Sequence, residues 1–198
     1  MIVDEAARVI DGMPVPAAGI LTIDPAHSSI GFHVRHLMIA KVTGRFTTFS
    51  GTIHVEADPE QSWAEVSIDA ASIDTADPQR DQHLRSADFL DAEQFPTIEF
   101  RSTGLRRKQG KAFDVAGDLT MHGVTRSVAV ACEYQGIVAD PWGNQRAVIT
   151  ARTEINRGDW GLTWNQALES GGVLVGSQIT IQAEIQAIPQ RSRPEKQE

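Results

Sequence analysis

The chain has 198 residues, 41% of them hydrophobic, enough for one packed domain and far above what a disordered chain carries. Its 26 acidic residues against 18 basic ones give a formal net charge of −8. Such a surface repels phosphodiester backbones and anionic bilayers, so nucleic-acid binding, peripheral membrane binding and stable membrane insertion are all unexpected.

The opening Met1-Ile2-Val3-Asp4-Glu5 places acid where a secretory signal carries base, and no apolar stretch of signal type follows. A cytoplasmic location is therefore expected. Residues 1–18 contain Pro14 and Pro16, show no sustained periodicity, and read as a flexible arm. The tail over 189–198 is polar and proline-broken and reads the same way.

Between these ends the pattern has period two. Ile30, Phe32 and Val34 alternate with Ser29, Gly31, His33 and Arg35, the signature of a strand with one apolar face. Phe46, Phe49, Ile53 and Val55 continue it, but the three-residue step from Phe46 to Phe49 breaks the alternation and predicts a bulge or bend. Further strands are expected at Val66 and Ile68, at Ile98 and Phe100, and from Phe113 through Leu119 and Met121. Others follow at Val128, Val130 and Cys132, from Ala147 to Ile155, and from Ile179 to Ile185. The basic cluster Arg101, Arg106, Arg107, Lys108 and Lys111, with Gly104 and Gly110, reads as a solvated hairpin tip. Cys132 is the only cysteine, so no intrachain disulfide forms, and its place in an alternating run marks it as a small buried apolar side chain.

Helical signal is confined to 78–85, with Pro78 at the first turn, Asp77 as N-cap and no β-branched residue. Asp81 and Arg85 lie four apart on it and are expected to pair. Phe89, Leu90 and Phe95 make the following segment too apolar for a free loop, so it is expected to cap one end of the domain.

The fold class is all-β. Roughly eight short-spaced strands suit an extended antiparallel barrel with one short helix in a strand connection, and equally a sandwich. Inward positions supply Phe32, Val34, Phe46, Phe49, Ile68, Phe100, Leu119 and Met121 as candidate lining, with Phe89, Leu90, Phe95, Trp160, Leu162 and Trp164 at a mouth or lid. Alternation serves a filled interior and a hollow one alike.

Three stretches resemble the YceI family. They are residues 80–100, the run Gly117-Asp118-Leu119-Thr120-Met121-His122-Gly123-Val124-Thr125-Arg126, and Ile155-Asn156-Arg157-Gly158-Asp159-Trp160-Gly161-Leu162. The opening Asp24-Pro25-Ala26-His27-Ser28-Ser29-Ile30-Gly31-Phe32 fits too, so the likeness spans 19–188 as one domain. The resemblance implies an eight-stranded, lipocalin-like barrel enclosing a polyisoprenoid, a quinone tail or another long-chain amphiphile, with no required cofactor and no catalysis. It also implies homodimers in many members, though no patch in the sequence decides for pairing. Many members carry a periplasmic signal, which this chain lacks at its start. Trp160 stands where the family has an aromatic, and is expected to narrow the pocket.

Polar candidates are Arg80, Asp81, His83, Asp118 and Arg126, expected to form one network that ties the helix to the barrel or receives a headgroup. The competing enzyme reading makes His83, Asp81 or His122 acid-base groups acting on a small amphiphile. His33 and His36 form an H-x-x-H, but on a strand they point to opposite faces and chelate poorly, so no metal site is expected.

Overall fold

The structure, a computed structural model, describes residues 7–37, 39–139, 145–169 and 171–190. Thirteen strands and one α-helix appear among them: β1 (Arg8–Ile10), β2 (Met13–Val15), β3 (Gly19–Ile23), β4 (Ser29–His36), β5 (Ala40–Phe46), β6 (Phe49–Val55), β7 (Trp63–Asp69), β8 (Ile73–Asp74), α1 (Pro78–Arg85), β9 (Thr97–Arg107), β10 (Ala112–Met121), β11 (Val124–Ala139), β12 (Gln145–Asn156) and β13 (Val175–Pro189). No helix among the described residues is long and apolar enough to cross a membrane.

Six of these strands are halves of three longer ones. β3 and β4 both pair antiparallel with β13, on either side of a break at 24–28. β5 pairs with β4 while β6 pairs with β3, so 40–55 is one course interrupted at Thr47 and Thr48, where the alternation failed in sequence. β7 pairs with β6 and β8 with β5, across a 3-10 turn at Ala70–Ser72. With β9 to β13 this makes a closed, eight-stranded antiparallel barrel, sealed by the β12–β13 pairing. Strands of 15 and 16 residues, β13 and β11, extend about 50 Å along their own length.

The register depends locally on close backbone approach. Gly117 sits at a β-bulge between β10 and β9, where an added Cβ would lie 2.8 Å from the Arg101 carbonyl oxygen and collide with the Phe100 ring.

One end of the barrel, called here the helix end, is partly packed by its own side chains. Asp77 caps α1 by accepting from the N–H groups of Gln79 and Arg80, as its sequence position predicts. Phe89, Leu90 and Leu162 are buried there, and Trp160 is the most deeply buried large side chain. The indole N–H of Trp160 donates to the Leu119 carbonyl at 3.1 Å, and its own carbonyl contacts His122 Nδ1 at 3.1 Å. The segment after α1 thus caps an end of the domain.

The opposite end departs from the sequence reading. Residues 8–15, read as part of a flexible arm, form the β1–β2 hairpin. Its turn is Asp11-Gly12 with φ of 50° and 76°, the left-handed pair that a two-residue hairpin loop requires. Pro189, assigned to a loose tail, ends β13 and pairs with Leu21. Residues 1–6 and 191–198 of the two expected loose ends lie outside the described residues.

Candidate ligand-binding site

Inside the barrel lies a cavity of about 450 Å³, within the range of roughly 300–1,000 Å³ typical of small-molecule sites. Its wall is almost wholly aliphatic and aromatic. From the helix end it runs past Leu162, Phe32 and Ile179, through Phe100, Val115 and Val130, to Tyr134, Ile10 and Met13 at the hairpin end. β11 shows why this space is hollow. Val128, Val130, Cys132 and Tyr134 point inward yet are only half-buried, while the residues between them are exposed. An inward-facing side chain in a packed core would be covered.

Of the fourteen apolar residues named from the sequence, ten border this cavity: Phe32, Val34, Phe46, Ile68, Phe89, Leu90, Phe100, Leu119, Met121 and Leu162. Four do not. Phe49 and Trp160 belong to the packed core at the helix end, so Trp160 plugs rather than narrows the pocket. Phe95 lies against His122 and Gly123. Trp164 meets His83 edge-on and Phe89 at a tilt.

The expected polar network is broken into separate pieces. Asp81 is buried and accepts from the Thr75 N–H at 2.9 Å and the Thr75 hydroxyl at 2.5 Å. Arg80 donates to the Thr75 hydroxyl oxygen and carbonyl, each at 2.7 Å, so these three residues clamp α1 to the end of β8. Asp81 does not pair with Arg85, which instead donates to the carbonyls of Ala71 and Ile73. His83 meets Asp88 at 2.9 Å on the surface. Asp118 accepts from Ser127 at 2.8 Å on the outside of the barrel, and exposed Arg126 reaches, among the described residues, only the Thr125 carbonyl. Neither touches the helix. Asp81, His83 and His122 do not converge: each has different partners.

Polar atoms reach the cavity mainly at its ends. At the helix end Arg157 is buried, with Nε donating to the Gly176 carbonyl at 3.0 Å and Nη1 to the Leu162 carbonyl at 2.5 Å. Burial lowers its pKa. At the hairpin end the lining includes Arg8, Arg107 and Lys111. Arg107 pairs with Asp11, while Arg106 and Lys108 pair with Asp114 on the outside. Arg106, Arg107, Lys108 and Lys111 lie at the hairpin tip between β9 and β10, with two of them facing the cavity, whereas Arg101 lies within β9 over the Trp63 ring.

The hairpin contributes to the wall at this end. Arg8 donates to the carbonyls of Pro16 and Ala57 at 3.1 and 2.6 Å and to that of Glu56. Ile10, Met13 and Val15 become cavity wall. Sequence reasoning missed them because strands of three residues carry too little alternation to register; the Asp11-Gly12 turn was the available signal. Desolvation pushes the Cys132 thiol up to about 12 and the Tyr134 phenol up to about 12, both inside this apolar space.

Comparison with known proteins agrees with this architecture. The model of the YceI-like domain matches residues 21–187. A UPF0312 protein of Vibrio vulnificus is 39% identical over 156 residues, covering 76% of this chain and 82% of that protein. The crystal structure of Burkholderia cenocepacia BcnA superimposes with a TM-score of 0.73 at 21% identity, covering 83% of this chain and 98% of that one. A polyisoprenoid-binding domain from Saccharophagus degradans, implicated in plant cell wall breakdown, gives a TM-score of 0.66 at 15% identity, covering 87% and 99%.

Proposed function

This chain belongs to the YceI-like domain family, and we propose that its barrel binds a long isoprenoid-type chain, such as a polyprenyl phosphate or a quinone tail, and sequesters or carries it without chemistry. The observation that carries this reading is the cavity of about 450 Å³, apolar along its length with polar atoms mainly at its ends. An unfilled apolar void is unfavourable. A guest of matching shape offsets part of that cost and gains roughly 0.8 kcal/mol for each CH₂ removed from water.

The wall offers no pattern of donors along its length, so recognition rests on shape and apolarity. The polyisoprenoid binding of the Saccharophagus domain, which shares the fold, supports the choice of guest. Absence of chemistry is supported by the separation of Asp81, His83 and His122 into unrelated contacts. Organic extraction of the purified protein followed by mass spectrometry tests the proposal. A prenyl-type lipid near one equivalent is the expected result; no lipid, together with failure to bind added polyprenyl chains, overturns it.

A further inference from the structure

We propose that the barrel end carrying the β4–β5 tip docks on the surface of an anionic phospholipid bilayer. The proposal rests on the lipid-carrier reading above, since a carrier of so apolar a guest collects or delivers it at a membrane.

Three large apolar side chains stand in water at this end. Ile39 is 89% exposed, Leu37 46% and Val173 40%. They form one rim, because the Leu37 N–H donates to the Leu174 carbonyl at 2.9 Å, joining the tip to the segment that leads into β13. Leu37 has φ of 51°, a left-handed conformation unfavourable for leucine and easy for glycine or asparagine. A large apolar side chain is therefore displayed where local backbone preference favours a small or polar one. Exposed apolar residues of this kind mark interaction surfaces.

Charge selects the partner. Between Asp24 and Glu56 the chain has no acidic residue, although its total charge is −8. Arg35 and Lys41 lie opposite each other across the hairpin directly behind the apolar tip, both exposed and in no ion pair among the described residues. Arg45, further along β5, is engaged by Asp74, and Glu169 is the one acidic residue on the facing 165–174 segment. Apolar side chains backed by free cations match an anionic bilayer, whose phosphates meet the basic groups while the aliphatic groups enter the interface. The site also lies beside the cavity. Val175 pairs with His36, and both Val175 and Val34 line the interior.

Flotation of the intact protein with phosphatidylcholine vesicles, with and without roughly one-third phosphatidylglycerol, tests this. The protein is expected to float with the anionic vesicles. Binding should weaken at least about tenfold, or about 1.4 kcal/mol, on pure phosphatidylcholine or in Ile39→Asp. It should also weaken when salt rises from about 0.1 to about 0.5 M. Ile39→Asp should melt as the wild type does and should still bind a polyprenyl chain supplied in detergent. Loss of that binding in both proteins would count against the carrier reading, whereas flotation judges the docking surface. Wild type that floats with neither vesicle, a variant that floats equally well, or a dimer that Ile39→Asp dissolves would each overturn the proposal, the last by showing a second copy on the rim.

Discussion

Tyr134 donates its phenolic proton to the Pro14 carbonyl at 2.9 Å, across 120 positions of sequence, and so fastens the β1–β2 hairpin to the wall of the barrel it covers. The hydroxyl belongs to a side chain that also lines the cavity. Tyr134→Phe removes the bond without changing the apolar wall. A neutral hydrogen bond of this kind contributes about 0.5–1.5 kcal/mol. The cost should fall on the hairpin: faster hydrogen exchange over 8–15, with the global melting temperature almost unchanged. Exchange at the wild-type rate over 8–15 would mean that this bond does not hold the hairpin.

Cys132 reports on the cavity from within. Its thiol is pushed up to about 12 by desolvation, with the Asp114 charge adding to the effect. At pH 8 the native protein should therefore react very slowly with a soluble disulfide reagent, since the thiolate is the reacting form. Denaturant should release a fast reaction, and a bound prenyl chain should slow the native one further. Rapid labelling of the folded protein would contradict the placement of this side chain.

Asp24 makes stability depend on acid. Its carboxylate is bound first of all by Arg146, then by His27 at 2.9 Å and the Ala26 N–H at 3.0 Å, and these hold its pKa below the ordinary 3.8. Because the folded state binds the proton less readily than the unfolded chain, this contribution is fully present above the unfolded pKa. It is lost as pH falls through the lowered folded value. Asp24→Asn should thus cost about 1–3 kcal/mol at neutral pH, a charged hydrogen-bond partner having been removed. The gap to wild type should close as pH falls below about 4. Denaturant titrations across that range measure it, and a gap independent of pH would exclude the Arg146 contact as its origin.

Asp81 holds α1 rather than a ligand. Replacing it with Ala strands the buried Thr75 N–H and deprives the Thr75 hydroxyl of its acceptor. The expected loss is about 2–3 kcal/mol of stability. Affinity for a polyprenyl chain, measured well below the melting transition, should stay within about threefold, or about 0.65 kcal/mol. A selective loss of affinity would restore Asp81 to the site.

Much of this architecture was legible in the chain. Alternation located most of the barrel strands, the Phe46-to-Phe49 step located their bend, and Asp77-Pro78 located the helix start. The polar network failed for a reason the same alternation contained. With Leu119 and Met121 inward on β10, Asp118 must face outward, and it does. Arg126 lies opposite Leu119 across β10–β11, but its guanidinium turns to solvent. What no pattern revealed was the hollow. Period two states which side chains face one another across an interior, not whether they reach far enough to meet. That depends on barrel radius and on side-chain volumes at every level. Trp160 illustrates the difference: an aromatic expected at the pocket is spent filling the helix end.

The claim beneath all of this is that the middle of the barrel is vacant space shaped for a chain, and Val130→Trp addresses it directly. Val130 faces the cavity midway along β11, opposite Val115. An indole there occupies the space a guest would need. Equilibrium binding of a polyprenyl chain to wild type and variant is the measurement, with circular dichroism to show that both barrels are folded. One site on the wild type and at least about a hundredfold weaker binding, or about 2.7 kcal/mol, in the variant is the predicted result. Equal affinity in two folded proteins would place the guest elsewhere and contradict the account.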